Sequence, residues 1–180
     1  MKKFELTTES ITNVAGKKIF RIKALVEFGN VKAGELGGYV EKEGNVSQDG
    51  NAWVSGNAWV YGDARVSGDA KVSGGVRVSG NAWVYGNAWV SGNVRVSGDA
   101  RVSGNTDYAS VQGFGTEFRC TTFYRSKNKK IMVNCGCFHG DLEEFRKQVK
   151  ETRSGEIAKE YLMIADLMEY HFASEDSSNE

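Results

Sequence analysis

The chain has 180 residues, with 23 Lys plus Arg against 23 Asp plus Glu, 22 Gly, no Pro and three Cys. The balanced charge gives no reason to expect non-specific nucleic-acid or anionic-membrane binding, and no stretch approaches the roughly 18 apolar residues of a membrane span. The opening Met1-Lys2-Lys3-Phe4-Glu5-Leu6 lacks the apolar run of a signal peptide, and an odd Cys count suits a reducing cytoplasm better than a secreted disulfide framework.

Residues 1–32 read as an N-terminal β cap. Ile19-Phe20-Arg21-Ile22-Lys23-Ala24-Leu25 alternates as a strand does, after a turn at Ala15-Gly16-Lys17. The Gly cluster in Val31-Lys32-Ala33-Gly34-Glu35-Leu36-Gly37-Gly38-Tyr39-Val40-Glu41 suits a tight entry into a first coil. With no helix after it, that cluster is a poor phosphate cradle.

Residues 33–105 are the dominant feature. From Asn51 to Gly104 one hexad, Asn/Asp–Ala–X–Val–Ser–Gly in outline, repeats nine times without insertion, the signature of a solenoid. Val recurs at 54, 60, 66, 72, 78, 84, 90, 96 and 102, with Ala or Val two places earlier. Residues two apart on a strand share a face, so this pair points inward and the residue between them outward. Gly then closes each strand, and Asn or Asp opens the next. Extending the register upstream through Asn45-Val46-Ser47-Gln48-Asp49-Gly50 gives twelve hexads from Ala33 to Gly104, or four coils at three hexads each.

Residues 18 apart then stack at about 4.8 Å. The outward positions form three ladders: Trp53, Lys71, Trp89; Trp59, Arg77, Arg95; and Arg65, Trp83, Arg101. Each sets Trp beside a cation, worth about 0.5–1 kcal/mol per exposed contact. Such ladders either cover the outside of a thin solenoid or line a groove, against a sister subunit or around a planar anion.

Residues 106–172 form a small α/β domain. A strand over 115–125 is turned at Lys127-Asn128-Lys129-Lys130 into a second over Ile131–Phe138. Asp141 and Glu144 make a capping box for a helix with the stripe Leu142, Phe145, Val149. After Gly155, Ile157, Tyr161, Ile164, Met168 and Phe172 make the stripe of another helix. Residues 173–180 are polar, acidic and expected to fray.

The hexads, joined to Val31-Lys32-Ala33-Gly34 and Gly37-Gly38-Tyr39-Val40-Glu41, resemble hexapeptide-repeat proteins of enteric bacteria that carry a transferase name, and their short phage and prophage relatives; the likeness covers roughly Phe20 to Gly104. Arg119, Thr121–Arg125 and Cys135-Gly136-Cys137-Phe138 resemble the C-terminal domains of such phage proteins. The resemblance implies a left-handed parallel β-helix and an oligomer, a homotrimer in the wider class. It also implies the cytoplasm as location, the host's if the chain is phage-encoded, but no settled activity.

Hexapeptide acyltransferases use a His of the β-helix as general base, and this chain has no His before His139. The expectation is therefore a non-catalytic binding protein without cofactor, membrane partner or sequence-specific nucleic acid. A structural or protein-docking scaffold and an acyltransferase-like enzyme are the alternatives. The ligand candidates are Trp59, Arg77, Arg95, Arg65, Trp83 and Arg101 on the ladders, and Arg119, Thr121 and Arg125 on one strand face, where guanidinium and hydroxyl suit phosphate. The phage resemblance extends this, by analogy, to sequestration of a nucleotide immune signal. Cys135, Cys137 and His139 alternate, and a symmetric hairpin sets Cys120 opposite Cys135; these four are candidate zinc ligands. The preferred reading of the four is a buried core without metal.

Overall fold

The structure, a computed structural model, describes residues 1–176. The chain divides into two compact units, Met1–Asn105 and Thr106 onward.

The first unit is a parallel β-solenoid of about four turns under an antiparallel cap. Strands β1 (Phe4–Thr12), β2 (Lys18–Ala24) and β3 (Leu36–Val40) lead into nine two-residue strands. These are β4 (Trp53–Val54), β5 (Trp59–Val60), β6 (Arg65–Val66), β7 (Lys71–Val72), β8 (Arg77–Val78), β9 (Trp83–Val84), β10 (Trp89–Val90), β11 (Arg95–Val96) and β12 (Arg101–Val102). They stack as β4-β7-β10, β6-β9-β12 and β1-β2-β3-β5-β8-β11, so the antiparallel cap continues one solenoid face.

The rung spacing of 18 holds from Trp53 onward, with Trp53 beside Lys71, Trp59 beside Arg77 and Arg65 beside Trp83. Backbone N–H groups donate to the next coil, as in Trp59 N to Val76 O at 2.9 Å and Tyr61 N to Val78 O at 3.0 Å. The inward Ala and Val of all nine hexads are 0–1% exposed. The corners require glycine. Gly80 has φ +67°, and a Cβ there would lie 2.9 Å from the Gly98 nitrogen in the coil below.

The first coil departs from the hexad register. Tyr39 pairs with Trp59 and Val46 with Val66, a step of 20, so Val46 takes the Val position and not the small one. Regular hexads therefore begin at Asn51, and the expected twelve from Ala33 are not formed. A 3-10 turn at Glu43–Asn45 leads into Val46, and the two extra residues lie after it, between Val46 and Trp53, where the step returns to 18. Gln48, where the register called for Val, uses its amide to bind the backbone of the cap: its Oε1 accepts from Lys3 N at 2.7 Å, and its Nε2 donates to Phe4 O at 3.2 Å.

In this ladder the upper edge of the solenoid presents carbonyls, and side-chain donors meet them. The Lys3 ammonium donates to Gly50 O and Ala52 O at 3.2 and 2.9 Å, beneath the Phe28 ring. The Asn45 amide donates to Gly62 O and Ala64 O at 3.1 and 2.8 Å. The other edge presents N–H donors, and there the side-chain carbonyl oxygen of Asn105 accepts from Trp89 N at 2.7 Å.

The second unit is a four-stranded antiparallel sheet, β13 (Tyr108–Val111), β14 (Thr121–Arg125), β15 (Ile131–Cys135) and β16 (Phe138–Asp141), with helices α1 (Leu142–Thr152) and α2 (Gly155–Asp176). Asp141 caps α1 by accepting from Glu144 N at 3.0 Å, and Glu144 returns a bond to Asp141 N at 2.8 Å. Phe123 and Val133 from the sheet, Phe145 and Val149 from α1, and Ile164, Met168 and Phe172 from α2 make the core. α2 runs to Asp176, and residues 177–180 of the expected frayed tail lie outside the described residues. Among the described residues, no helix is long and apolar enough to cross a membrane.

Candidate functional site

The three outward ladders differ in what covers them. On the first, Trp53 holds the outward position but is covered: it is 4% exposed, held edge-on by Phe28 at 5.4 Å and Phe4 at 6.3 Å between ring centres. The cap closes over it, and only Trp89, 58% exposed, remains open on that face. The second ladder continues up into the cap. Arg77 lies 4.5 Å from the Trp59 ring centre, and Arg21 lies 5.5 Å from that of Tyr39, which stacks above Trp59. Arg21 and the Tyr39 hydroxyl both donate to Glu9, at 3.0 and 2.8 Å. Those bonds, the Tyr39 one first, hold the Glu9 carboxyl below its ordinary value. Arg95 pairs below Arg77 and is exposed.

The third ladder is the most open. Trp83, 42% exposed, lies between two guanidiniums, Arg101 at 4.6 Å and Arg65 at 5.6 Å from its ring centre. Arg101 is fixed by donating to Asn81 O at 2.9 Å and Ala100 O at 2.8 Å. The rung above Arg65 belongs to Asn45, which is fully buried and donates its amide to carbonyls of the coil. The outward rung is therefore missing, and a cavity of ≈410 Å³ opens there, lined by Gly44, Ser47, Gln48, Arg65, Ser67 and Trp83, and by Glu43, whose carboxylate pairs with the Lys2 ammonium. Sequence reasoning found Arg65 and Trp83 but not Ser47, Ser67 or Gln48, whose places depend on the step of 20.

In the second unit the expected phosphate face does not form. Arg119 precedes β14 and pairs with Glu117 at 3.3 Å. Thr121 is buried and donates to Cys135 Sγ at 3.2 Å. Arg125 is a packing residue: it lies 5.3 Å from the Phe172 ring centre, donates to Phe172 O at 2.6 Å and pairs with Asp107 at 3.7 Å.

The four candidate metal ligands are also separated. The pairing register is one residue off the one symmetry suggested, so Thr121, not Cys120, faces Cys135. The run 131–138 is two strands: Cys135 pairs with Phe138 across a turn in which Gly136 has φ +61° and Cys137 is exposed. His139 pairs with Asn134, on the opposite sheet face from Cys135, and its Nε2 lies 3.1 Å from the Tyr124 hydroxyl. No group of three His, Cys, Asp or Glu able to hold a metal occurs among the described residues.

A second cavity, of ≈240 Å³, lies within this unit. Its lining includes Glu117, Arg119, Cys135, Phe138, Arg153 and Tyr161. Burial, aided by Cys135, pushes the Tyr161 hydroxyl above its ordinary pKa. No motif or spacing signals that these residues meet.

Fold and surface thus define a parallel β-solenoid protein with aromatic–guanidinium ladders on its outside. The profile of the YdcK beta-solenoid repeat matches residues 76–92, about one coil, so the chain is similar to that repeat there. No curated protein matches the chain.

Proposed function

We propose that this chain is a binding protein, not an enzyme, and that its ligand is a small planar anion held on the third ladder. The observation that carries this reading is the cavity above Arg65, where the ladder lacks one rung. A flat ring there continues the stack at the strand spacing of about 4.8 Å. It lies on a guanidinium plane already set by Trp83, while the Ser47 and Ser67 hydroxyls offer hydrogen bonds to an anionic group. A nucleotide has both parts. The solenoid carries no imidazole to serve as general base: both His residues, His139 and His171, lie outside it. For a phage-encoded chain, holding a nucleotide unchanged in the host cytoplasm removes it as an immune signal, and a homotrimer multiplies the sites.

The test incubates the protein with a panel of cyclic and linear nucleotides, removes it by heat and analyses the filtrate. Retention followed by recovery of intact nucleotide is expected, with retention falling at least tenfold in Arg65→Glu. Product in the filtrate makes the chain an enzyme. Equal retention by Arg65→Glu moves the site to another ladder. No retention of any nucleotide favours the second reading, a protein-docking scaffold, for which the exposure of Trp89 and Trp83 is the supporting observation. In that case Trp83→Ala with Trp89→Ala loosens the partner or sister subunit.

A further inference from the structure

The ≈240 Å³ cavity of the second unit is built from pieces far apart in sequence. Phe138 and Phe145, with ring centres 5.5 Å apart, supply an aromatic wall, and Tyr161 stands edge-on to Phe145 at 5.9 Å. Arg119 enters from the segment before β14, and Arg153 from the end of α1. Arg119 lies across the β15–β16 turn, close enough that a Cβ on Gly136 would be 2.8 Å from its Nη1. Tyr161 donates to Phe114 O at 3.4 Å, which ties the segment carrying Glu117 and Arg119 to α2. Among the described residues, the charged lining residues are two arginines and one carboxylate, Glu117, which already sits on Arg119 at 3.3 Å.

We propose that this cavity binds a compact aromatic monocarboxylate, whose ring lies against Phe138 and Phe145 and whose carboxylate bridges Arg119 and Arg153. Three features choose this class. The wall is aromatic, which favours a flat ring in edge or offset contact. The lining carries one surplus positive charge, which matches one carboxylate better than a phosphate dianion. Glu117 shows the geometry that Arg119 accepts, since guanidinium pairs with carboxylate through fixed N–H donors. Binding swaps that internal carboxylate for an external one, so Glu117 is a competitor built into the site.

The experiment titrates the full chain with benzoate, indole-3-acetate and inorganic phosphate by isothermal calorimetry. Saturable binding of at least one aromatic carboxylate is expected, with phosphate inert. Affinity should fall at least tenfold in Arg119→Gln and in Arg153→Gln, and rise severalfold in Glu117→Gln, where the competitor is gone. A merely structural role for Glu117 would not tighten binding. Bound ligand should also slow alkylation of Cys135 and Cys137, which share the cavity. No saturable binding of either carboxylate overturns the proposal, as does unchanged affinity in both arginine variants or equal binding of phosphate. Arg65→Glu should leave this binding intact, so failure here and failure of the nucleotide reading are separate results.

Discussion

The solenoid and the C-terminal unit reach stability by opposite means. In the solenoid, each strand is two residues long and the interior is Ala and Val repeated, so neighbouring coils present nearly the same contacts. In the C-terminal unit a few large side chains, Phe123, Phe145 and Phe172 among them, each make contacts that no other residue duplicates. Repetition makes the solenoid tolerant of exchange among small apolar residues. Within the nine regular hexads it also leaves no polar side chain inside to meet a misplaced charge. The C-terminal unit depends instead on shape, and it is sensitive to lost volume.

The largest expected effect tests the solenoid side of that contrast. Val78→Asp places a carboxyl among fully buried neighbours in mid-stack, a cost of about 5 kcal/mol. All four Trp belong to this unit, so the fluorescence midpoint in denaturant reads its stability directly. An unchanged midpoint would mean that the inward register is wrong. Next comes the C-terminal unit. Phe145→Ala removes a ring touching Phe123, Phe138 and Tyr161, at about 3–4 kcal/mol. The loss should appear in the helical circular dichroism of α1 and α2, and a shift below about 1 kcal/mol would show that this core refills.

The smallest effect concerns the solenoid's end and is read through pH. Burial pushes the Lys3 ammonium from 10.5 down to about 8, against the opposing influence of Asp49 and Asp69. Between about pH 8 and 10.5 the unfolded chain binds a proton that the folded chain has released. Stability therefore rises with pH across that window, by on the order of 1 kcal/mol per unit, and is flat below it as far as this group is concerned. The measurement is the pH slope of the fluorescence midpoint in the native chain minus that in Lys3→Met. Equal slopes would assign the titration to other groups.

Legibility in the sequence divides along the same line. Positions 51–104 could be assigned inward or outward because each was confirmed by eight others in the same register. The register failed in the first coil, where Val46 and Gln48 have no equivalents to outvote a two-residue slip. Trp53 looked exposed because its cover, Phe4 on β1 and Phe28, carries no periodic signal of its own. In the C-terminal unit the capping box at Asp141 and the apolar stripe of α1 were local and readable. The hairpin turn at Gly136 was hidden in an apolar run that looked continuous, and that one turn moves Cys137 and His139 off the face of Cys135. The cavity residues were beyond reach for a related reason: Arg119, Cys135, Arg153 and Tyr161 come from four separate segments and meet only through packing.

The two edges of the solenoid have a consequence for its ancestry. Lys3 and Asn45 supply donors to carbonyls above, and Asn105 supplies an acceptor to an N–H below. Neither set of bonds depends on how many coils lie between them. A gene that gains or loses one 18-residue segment, cut at equivalent glycines such as Gly74 and Gly92, keeps both terminal seals intact and keeps every ladder in phase. Coil number in this architecture is thus free to drift by slippage and duplication of the coding sequence, while the ends, which cannot be copied from the middle, stay fixed.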